Sequence, residues 1–362
     1  MTSRSKGGGE AILVRELPNG TACLVTADSS QKVLESARVC FFAHFNAHGE
    51  IKLHVRKYLA ELRSCGFAIV VISAARLSDE ARKDLQSQCD DLIVRENMGL
   101  DWGSWQAAYK KYQHIKPKEY LLLCNDSVYG PLRPLSDWLE DLTRTPADVY
   151  GAIINWEISP HLQSWFLLLT PKVYEAPFFK GLMNSNMADL SKVEIIARYE
   201  VGFGNYCLTQ FRAHAAYDPG KSAIQAHTPF NASHLLWDAM LADGSVPFIK
   251  RELFRDNPLA IASVNRWKET KDSSGGSIVQ LVLDDLGGLP ATTSSFQRLK
   301  QGFRGKNPPS RPFNMGFVKV DYLTRERPVI QRINYRAYAV INDAFSAFGR
   351  FGTKILRRAR RS

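Results

Sequence analysis

A carboxylate with a polar residue on each side follows a strongly apolar run of the chain. Residues 120–124 read Tyr-Leu-Leu-Leu-Cys, and Asn125, Asp126 and Ser127 come directly after them. A carboxylate at the end of a buried strand can hold Mg²⁺ or Mn²⁺, cations that bridge the phosphates of a diphosphate. The same three residues are also typical of a turn that ends a strand. The pattern therefore predicts either a diphosphate site at Asp126, with a metal ion, or a structural turn.

A second polar segment contains Asn97, Gly99 and Asp101, and it lies between a predicted strand and a predicted helix. Glycines allow the backbone to approach a ligand closely. The Asp101 carboxylate can accept hydrogen bonds from ribose hydroxyls or from a base N–H group. An aspartate in this position also suits the N-cap of a helix. From spacing alone, a nucleotide site and a capped turn are equally good interpretations.

Glu200 stands before a predicted helix, in the sequence Tyr-Glu-Val-Gly at residues 199–202. A carboxylate in a binding site can remove the proton of an attacking hydroxyl group as a general base. Acidic residues are also favoured in the first turn of any helix, because they interact well with the helix dipole. The catalytic interpretation therefore depends on a fold that supplies a site around Glu200.

Four further residues are weaker candidates. His161 and Gln163 begin a predicted strand, in which residues two apart face the same side, and they are candidates for acceptor binding. Lys250 and Arg251 are adjacent cations that can neutralise a diphosphate leaving group. A solvated basic turn is an equally good interpretation of Lys250 and Arg251.

Apolar runs alternate with segments of helical period between residues 38 and 124, which predicts the order βαβαβαβ. This order indicates an α/β fold with an open, mostly parallel sheet and helices on both faces. Ligands of such sheets bind beyond the carboxyl ends of the strands, where residues 97–101 and 125–127 fall. The predicted elements are strands at 38–45, 67–73, 91–95 and 120–124, and helices at 51–64, 78–89 and 105–112.

The net charge of +11 over 362 residues is unevenly distributed. Residues 291–362 hold 16 Lys and Arg against 3 Asp and Glu, whereas residues 1–290 hold 31 against 33. Aromatic and basic residues alternate at helical spacing between 330 and 361, which predicts a basic amphipathic helix suited to an anionic membrane surface. The charge of −2 in the first 290 residues argues against nucleic acid as a partner.

The predicted organisation is a lead-in at 1–37, an α/β domain at 38–265, a linker or extension at 266–312 and a basic tail at 313–362. No apolar run approaches the roughly 20 residues of a membrane-spanning helix. The polar N-terminal residues predict no signal peptide. The six scattered cysteines predict buried free thiols. We therefore expect a cytoplasmic protein with a peripheral contact at the inner face of the plasma membrane.

Taken together, five segments resemble the rhamnan synthesis protein F family of bacterial glycosyltransferases, over about residues 38–261. The resemblance implies the GT-A class of nucleotide-sugar transferases, with residues 125–127 in the place of the metal-diphosphate motif and Glu200 in the place of the base. That motif usually has two carboxylates and here has only Asp126, so a metal-independent variant that uses Lys250 or Arg251 stays open. The matching segments are NMGLDWGSW at 97–105, NDSVYGP at 125–131, HLQSWF at 161–166, YEVG at 199–202 and PFIKREL at 247–253.

The resemblance also implies a reaction. A sugar, rhamnose from dTDP-rhamnose by family association, would move in a single displacement to a growing polysaccharide such as an O-antigen or rhamnan. The acceptor would be lipid-linked, and the basic tail would hold the enzyme at the membrane. The alternative is a non-catalytic glycan-binding or assembly protein on a transferase-like fold, which the incomplete acidic motif also fits.

Overall fold

The structure, a computed structural model, describes residues 13–16, 22–25, 27–113, 115–156, 159–219, 231–257, 261–270 and 278–288. Its strands are β1 (Leu13–Glu16), β2 (Ala22–Val25), β3 (Arg38–His44), β4 (Ala68–Ser73), β5 (Asp91–Val94), β6 (Tyr120–Asn125), β7 (Val128–Tyr129), β8 (Val149–Asn155), β9 (His161–Leu162), β10 (Phe166–Leu169), β11 (Ala213–Tyr217) and β12 (Ile249–Lys250).

The helices of the described residues include one π-helix, Ile196–Val201, and one 3₁₀ helix, Ala262–Glu269. The α-helices are α1 (Ala27–Glu35), α2 (Leu53–Ser64), α3 (Asp79–Ser87), α4 (Leu100–Lys111), α5 (Leu135–Thr143), α6 (Pro171–Tyr174), α7 (Pro177–Asn184), α8 (Lys192–Ile195), α9 (Gly202–Gln210), α10 (Ala232–Leu235), α11 (Trp237–Ala242), α12 (Arg251–Arg255) and α13 (Ile278–Leu286). No helix in the described part of the chain is both long and apolar enough to span a bilayer.

The chain divides into two compact units, each made of two stretches of sequence. The first unit comprises Met1–Asp126 and Trp165–Ile195, and the second comprises Ser127–Ser164 and Ile196–Ser362. The limits of 38–265 for one α/β domain stay a prediction. The tail at 313–362 lies outside the described residues, as does most of the stretch at 266–312.

The sheet of the first unit confirms the predicted fold class. Its four central strands are parallel and lie in the order β5-β4-β3-β6. Antiparallel strands flank them, β2 beside β5 and β10 beside β6. Strands β3 and β4 are buried almost throughout, as expected for continuous apolar runs in a parallel sheet covered on both faces.

Helix α2 shows how the sequence pattern produces the local structure. Val55, Leu59 and Leu62 recur at helical spacing, and all three are buried. Gly66 follows the helix with φ of +78°, a left-handed conformation that glycine adopts without steric cost. The chain then enters β4, so the glycine sets the direction of the next strand.

The described part of the second unit contains two groups of paired strands, one around β8 and one formed by β7 and β12. Strand β8 pairs in parallel with β11 and antiparallel with β9. Strands β7 and β12 form a separate antiparallel pair in which Lys250 lies opposite Val128. Helix α13 lies within the stretch predicted as a linker, and its Asp285 is bound by the β7 residue Tyr129.

Two predicted elements have different limits in the structure. Helix α4 begins at Leu100 rather than at residue 105, and its first turns contain the buried Trp102 and Trp105, whose ring centroids lie 5.1 Å apart. The strand predicted to begin at His161 is two strands, since β9 pairs with β8 whereas β10 pairs with β6. The described part of the predicted lead-in also contains β1, β2 and α1.

Candidate functional site

Asp126 lies at the carboxyl edge of the parallel sheet in the first unit. Its backbone N–H donates to the carbonyl of Ala43, at 3.2 Å, which extends the pairing of β6 with β3 by one residue. Its side chain is buried, and Oδ2 accepts a hydrogen bond from the backbone N–H of Phe45 at 3.2 Å. The carboxylate is therefore held where the two strands end.

Two buried histidines flank Asp126. His44 Nε2 is 4.0 Å from Asp126 Oδ2, while its Nδ1 is 3.0 Å from the hydroxyl of Ser73 at the end of β4. On the backbone side, His54 Nε2 is 3.3 Å from the carbonyl oxygen of Asp126. Sequence reasoning missed His44 as part of this group. The signal that would have found it is its position as the last residue of β3, at the same edge of the sheet as Asp126.

Asn125 joins the two polar segments that the sequence placed beyond the strand ends. Its Nδ2 donates to Oδ2 of Asp101 at 2.7 Å, and Asn125 itself is buried. Asp101 lies in the first turn of α4, and the N-cap is Gly99 with φ of +75°, so the capped-turn interpretation of Asp101 is wrong. The structure thus brings Asn125, Asp126 and Asp101 together at one edge of the sheet.

The loop that leads into α4 is open to solvent, and the first residue of the helix is strained. Asn97 is exposed, and Leu100 has φ of +54°, a left-handed conformation that costs a non-glycine residue about 1–3 kcal/mol. Such outliers concentrate at ligand sites, where the surrounding structure holds them in place. The loop and the first residue of α4 therefore combine an exposed amide side chain, a glycine and a strained residue at the edge where ligands of α/β sheets bind.

Lys250 and Arg251 have different surroundings in the second unit. Lys250 Nζ donates to the hydroxyl of Ser127 at 3.2 Å. The Arg251 guanidinium makes a two-pronged ion pair with Asp285, through bonds of 2.9 and 2.7 Å. Tyr129 also donates its hydroxyl to Asp285, at 2.6 Å. The charge of Arg251 is therefore compensated within the protein, whereas Lys250 contacts a neutral hydroxyl group.

His161 is buried beside Glu200 in the second unit. Its Nδ1 lies 2.7 Å from the carbonyl oxygen of Ser159, which can only accept, so Nδ1 carries the hydrogen. Burial lowers the pKa of His161, although the negative charge of Glu200 acts in the opposite direction. The imidazole is therefore held neutral, with its hydrogen on the nitrogen that faces Ser159.

Glu200 lies in the π-helix Ile196–Val201, directly before α9, and is half-buried. Single π-helical turns are rare and frequently occur at functional sites. Gly204 of α9 fits closely against β9, since a Cβ atom there would lie 2.4 Å from the carbonyl oxygen of Leu162. Asn205 donates to the carbonyl of Pro160 at 2.9 Å. These contacts fix the start of α9, and so Glu200, relative to His161.

Gln163 takes part in a different contact from that of His161. Its Nε2 donates to Oδ1 of Asn231 at 3.0 Å. The same oxygen accepts the hydroxyl of Ser233 at 2.6 Å and its backbone N–H at 3.2 Å, which caps α10. The structure therefore gives Gln163 a contact within the second unit, and acceptor binding by His161 and Gln163 stays a prediction.

Asp126 fits a metal ion only as a single carboxylate ligand. Among the described residues, no group of three or more His, Cys, Asp or Glu side chains is arranged to hold a metal ion. Mg²⁺ in nucleotide sites commonly takes one or two carboxylates and completes its shell with phosphate oxygens and water. The prediction of Mg²⁺ or Mn²⁺ at Asp126 stays a prediction.

The chain is similar to several known proteins. It is 28% identical over 170 residues to the uncharacterized protein y4gN of Sinorhizobium fredii, and the match covers 44% of each chain. It is 24% identical over 259 residues to the virulence protein VirA of Vibrio anguillarum, which covers 63% of this chain and 82% of that protein. The chain thus spans less than half the length of the Sinorhizobium relative.

A solved structure also shows a similarity, at 12% identity and a TM-score of 0.31, to the glycosyltransferase GlyE of Streptococcus pneumoniae TIGR4. That match covers 58% of this chain and 50% of the other. The model of the rhamnan synthesis protein F family matches residues 69–286, which include Asp101, Asn125, Asp126 and Glu200. Because this match extends over more than half of the 362 residues, the chain belongs to the rhamnan synthesis protein F family.

Proposed function

We propose that the protein is a glycosyltransferase that moves a sugar from a nucleotide-sugar donor to a growing cell-surface polysaccharide. The observation that carries this proposal is the hydrogen bond from Asn125 to Asp101, beside Asp126. It joins two loops at the carboxyl edge of a parallel sheet, where ligands of such folds bind. Membership of the rhamnan synthesis protein F family supports the same reaction class.

Binding of the nucleoside is assigned to the first unit. The nucleoside is proposed to contact Asn97, the backbone at Gly99 and the carboxylate of Asp101. Asp126, held by Phe45 N–H, is proposed to lie beside the diphosphate, with or without Mg²⁺ or Mn²⁺. A cation at this position would offset the phosphate charge and take phosphate oxygens as its remaining ligands.

Glu200 is proposed as the general base. Its carboxylate takes the proton of the acceptor hydroxyl while that oxygen forms a bond to the anomeric carbon of the donor. The bond from the anomeric carbon to the diphosphate oxygen breaks in the same step, and the nucleoside diphosphate leaves with that electron pair. A single displacement of this kind inverts the anomeric centre. Neutral His161 carries no positive charge that would compete with the acceptor hydroxyl for the Glu200 carboxylate.

The finer assignments belong to this proposal as well. Rhamnose from dTDP-rhamnose is the proposed sugar because of the family name, and a lipid-linked glycan such as an O-antigen or rhamnan precursor is the proposed acceptor. Ser127 and Lys250 are proposed to contact the donor diphosphate, since a lysine ammonium can neutralise phosphate charge and Lys250 Nζ donates to the Ser127 hydroxyl. Arg251 is a weaker candidate for this role, because Asp285 already compensates its charge.

The test of the function is release of nucleoside diphosphate from a panel of nucleotide sugars, with membrane extract as the acceptor. Release from one donor by the wild type, lost in Asp126→Asn and kept in Asp189→Asn, would support the proposal. Asp189 is an exposed aspartate of the same unit and serves as the matched control. Repeating the assay with EDTA and then with added Mg²⁺ or Mn²⁺ tests the cation. No release and no donor binding for any nucleotide sugar would favour the non-catalytic glycan-binding alternative.

Contact of the basic tail with the inner membrane face is a separate proposal, and the tail lies outside the described residues. Each Lys or Arg near an anionic surface contributes about 1 kcal/mol of binding. We expect the full chain to float with anionic liposomes in a density gradient and a chain that lacks residues 330–362 to stay at the bottom. Equal flotation of the two proteins would refute the proposal.

A further inference from the structure

Arg95 is the first residue after β5, at the same carboxyl edge as Asp126. Its backbone N–H donates to the carbonyl of Ser73 at 2.9 Å, so its position is set by the pairing of β5 with β4. Its side chain extends over the start of α4, where Nη1 donates to the hydroxyl of Ser104 at 3.2 Å and Nη2 to the carbonyl of Met98 at 2.5 Å. The guanidinium is thus fixed by two neutral acceptors.

The charge of Arg95 is half-buried without an acidic partner. Burial alone lowers its pKa, and among the described residues no carboxylate lies within ion-pair distance of its guanidinium. Other half-buried cations of this protein do have such a partner, as Lys111 has Asp91 and Arg251 has Asp285. A desolvated charge without compensation is costly, and an anionic ligand removes that cost.

Gly103 makes room for this arrangement. A Cβ atom at position 103 would lie 2.9 and 3.0 Å from the two terminal guanidinium nitrogens of Arg95, and 2.2 Å from the carbonyl oxygen of Met98. The sequence suggested that glycines in this segment admit a ligand, but the space beside Gly103 is filled by the protein's own Arg95. The lack of a side chain at Gly103 therefore leaves the space that the Arg95 guanidinium occupies.

The position of this cation is unfavourable for the helix by itself. The N-terminus of α4 carries a partial positive charge, so a guanidinium there is repelled unless an anion lies nearby. Asp101 in the first turn supplies one negative charge, but it is not within ion-pair distance of the Arg95 guanidinium. An anion at this edge would be attracted by both the helix N-terminus and Arg95.

We propose that Arg95, with the first-turn amides of α4, binds the diphosphate of the nucleotide-sugar donor. This inference rests on the proposed function. In it, Arg95 takes the place of Arg251 as the arginine that binds the phosphates. A guanidinium binds two phosphate oxygens through parallel N–H bonds, and Arg95 has further N–H donors beyond the two that its contacts with Ser104 and Met98 use. Phosphate binding would supply the ion-pair partner that Arg95 lacks among the described residues.

The test is the affinity of the full chain for inorganic pyrophosphate, measured by titration calorimetry. We expect Arg95→Met to weaken binding roughly 10- to 100-fold, since a charge-assisted hydrogen bond contributes about that factor. Arg56→Met is the matched control, because Arg56 is an arginine of the same unit in an exposed ion pair with Asp84. Its affinity should equal that of the wild type.

Arg95 also bonds Met98 and Ser104, so each variant is first checked by thermal unfolding. If Arg95→Met does not fold, Arg95→Gln keeps a polar side chain with N–H donors and removes the charge, with the same expected loss of affinity. Unchanged pyrophosphate binding in a folded Arg95 variant, or no binding by the wild type, would overturn the inference. The assay with the panel of nucleotide sugars tests the proposed function separately, because nucleoside diphosphate release by the wild type does not depend on the pyrophosphate result.

Discussion

Replacing Glu200 by Gln should lower the turnover number about 100- to 10,000-fold, the usual contribution of a general base. Glutamine has nearly the shape of glutamate but cannot take the acceptor's proton. Glu200 is not among the residues assigned to donor binding, so the dissociation constant of the donor should stay unchanged. The measurement is the rate of nucleoside diphosphate release at saturating donor, together with donor affinity from titration calorimetry.

Glu175→Gln is the matched control for this experiment. Glu175 is an exposed glutamate at the end of α6 and has no place in the proposed reaction, so its turnover number should equal that of the wild type. An unchanged turnover number in Glu200→Gln would contradict the general-base role. A parallel loss of donor affinity would instead place Glu200 in donor binding.

Replacing Gly204 by Ala should lower the free energy of unfolding by about 1–3 kcal/mol, the usual cost of forcing extra volume into a packed interior. The new Cβ atom would lie 2.4 Å from the carbonyl oxygen and 2.8 Å from the backbone nitrogen of Leu162. Because these are backbone atoms of β9, they cannot turn away as a side chain can. The same displacement would move His161 relative to Glu200, so turnover should fall as well.

Gly181→Ala is the matched substitution. Gly181 is exposed within α7, and a Cβ atom there would meet no atom within 4 Å. Alanine in a helix is more favourable than glycine, so this variant should gain about 0.5–1 kcal/mol. Urea unfolding of both variants measures the two effects. Equal stability of Gly204→Ala and the wild type would show that α9 does not pack on β9 as described.

The parallel core of the fold could be predicted because its signals are local. The run that became β3 is continuously apolar, and Gly66 marks the end of α2. The separation of β9 from β10 could not be predicted, since it depends on which neighbour each strand pairs with. The packing of α13 could not be predicted either, because the partners of its Asp285 are Tyr129 and Arg251, which are distant in sequence.

The sequence predicted which residues form the candidate site better than it predicted the contacts of those residues. The sequence pointed to Asp101, Asn125 and Asp126 from their positions after apolar runs, and the structure places them together. It gave no sign that Asp285 compensates Arg251, and it did not single out Arg95 as a candidate cation. Whether a charge is compensated depends on residues far apart in sequence, and a local pattern carries no information about them.

Transfer of labelled sugar is the most direct test of the central claim. Wild-type protein would be incubated with a nucleotide sugar labelled in the sugar and with membrane extract, and label would be counted in the glycan and lipid fractions. The glycosyltransferase proposal predicts that label from one donor enters the glycan or lipid fraction in an amount equimolar with the released nucleoside diphosphate. With Asp126→Asn, it predicts no label in either fraction. Release of nucleoside diphosphate with all of the label in free sugar would contradict it, because the protein would then be a hydrolase.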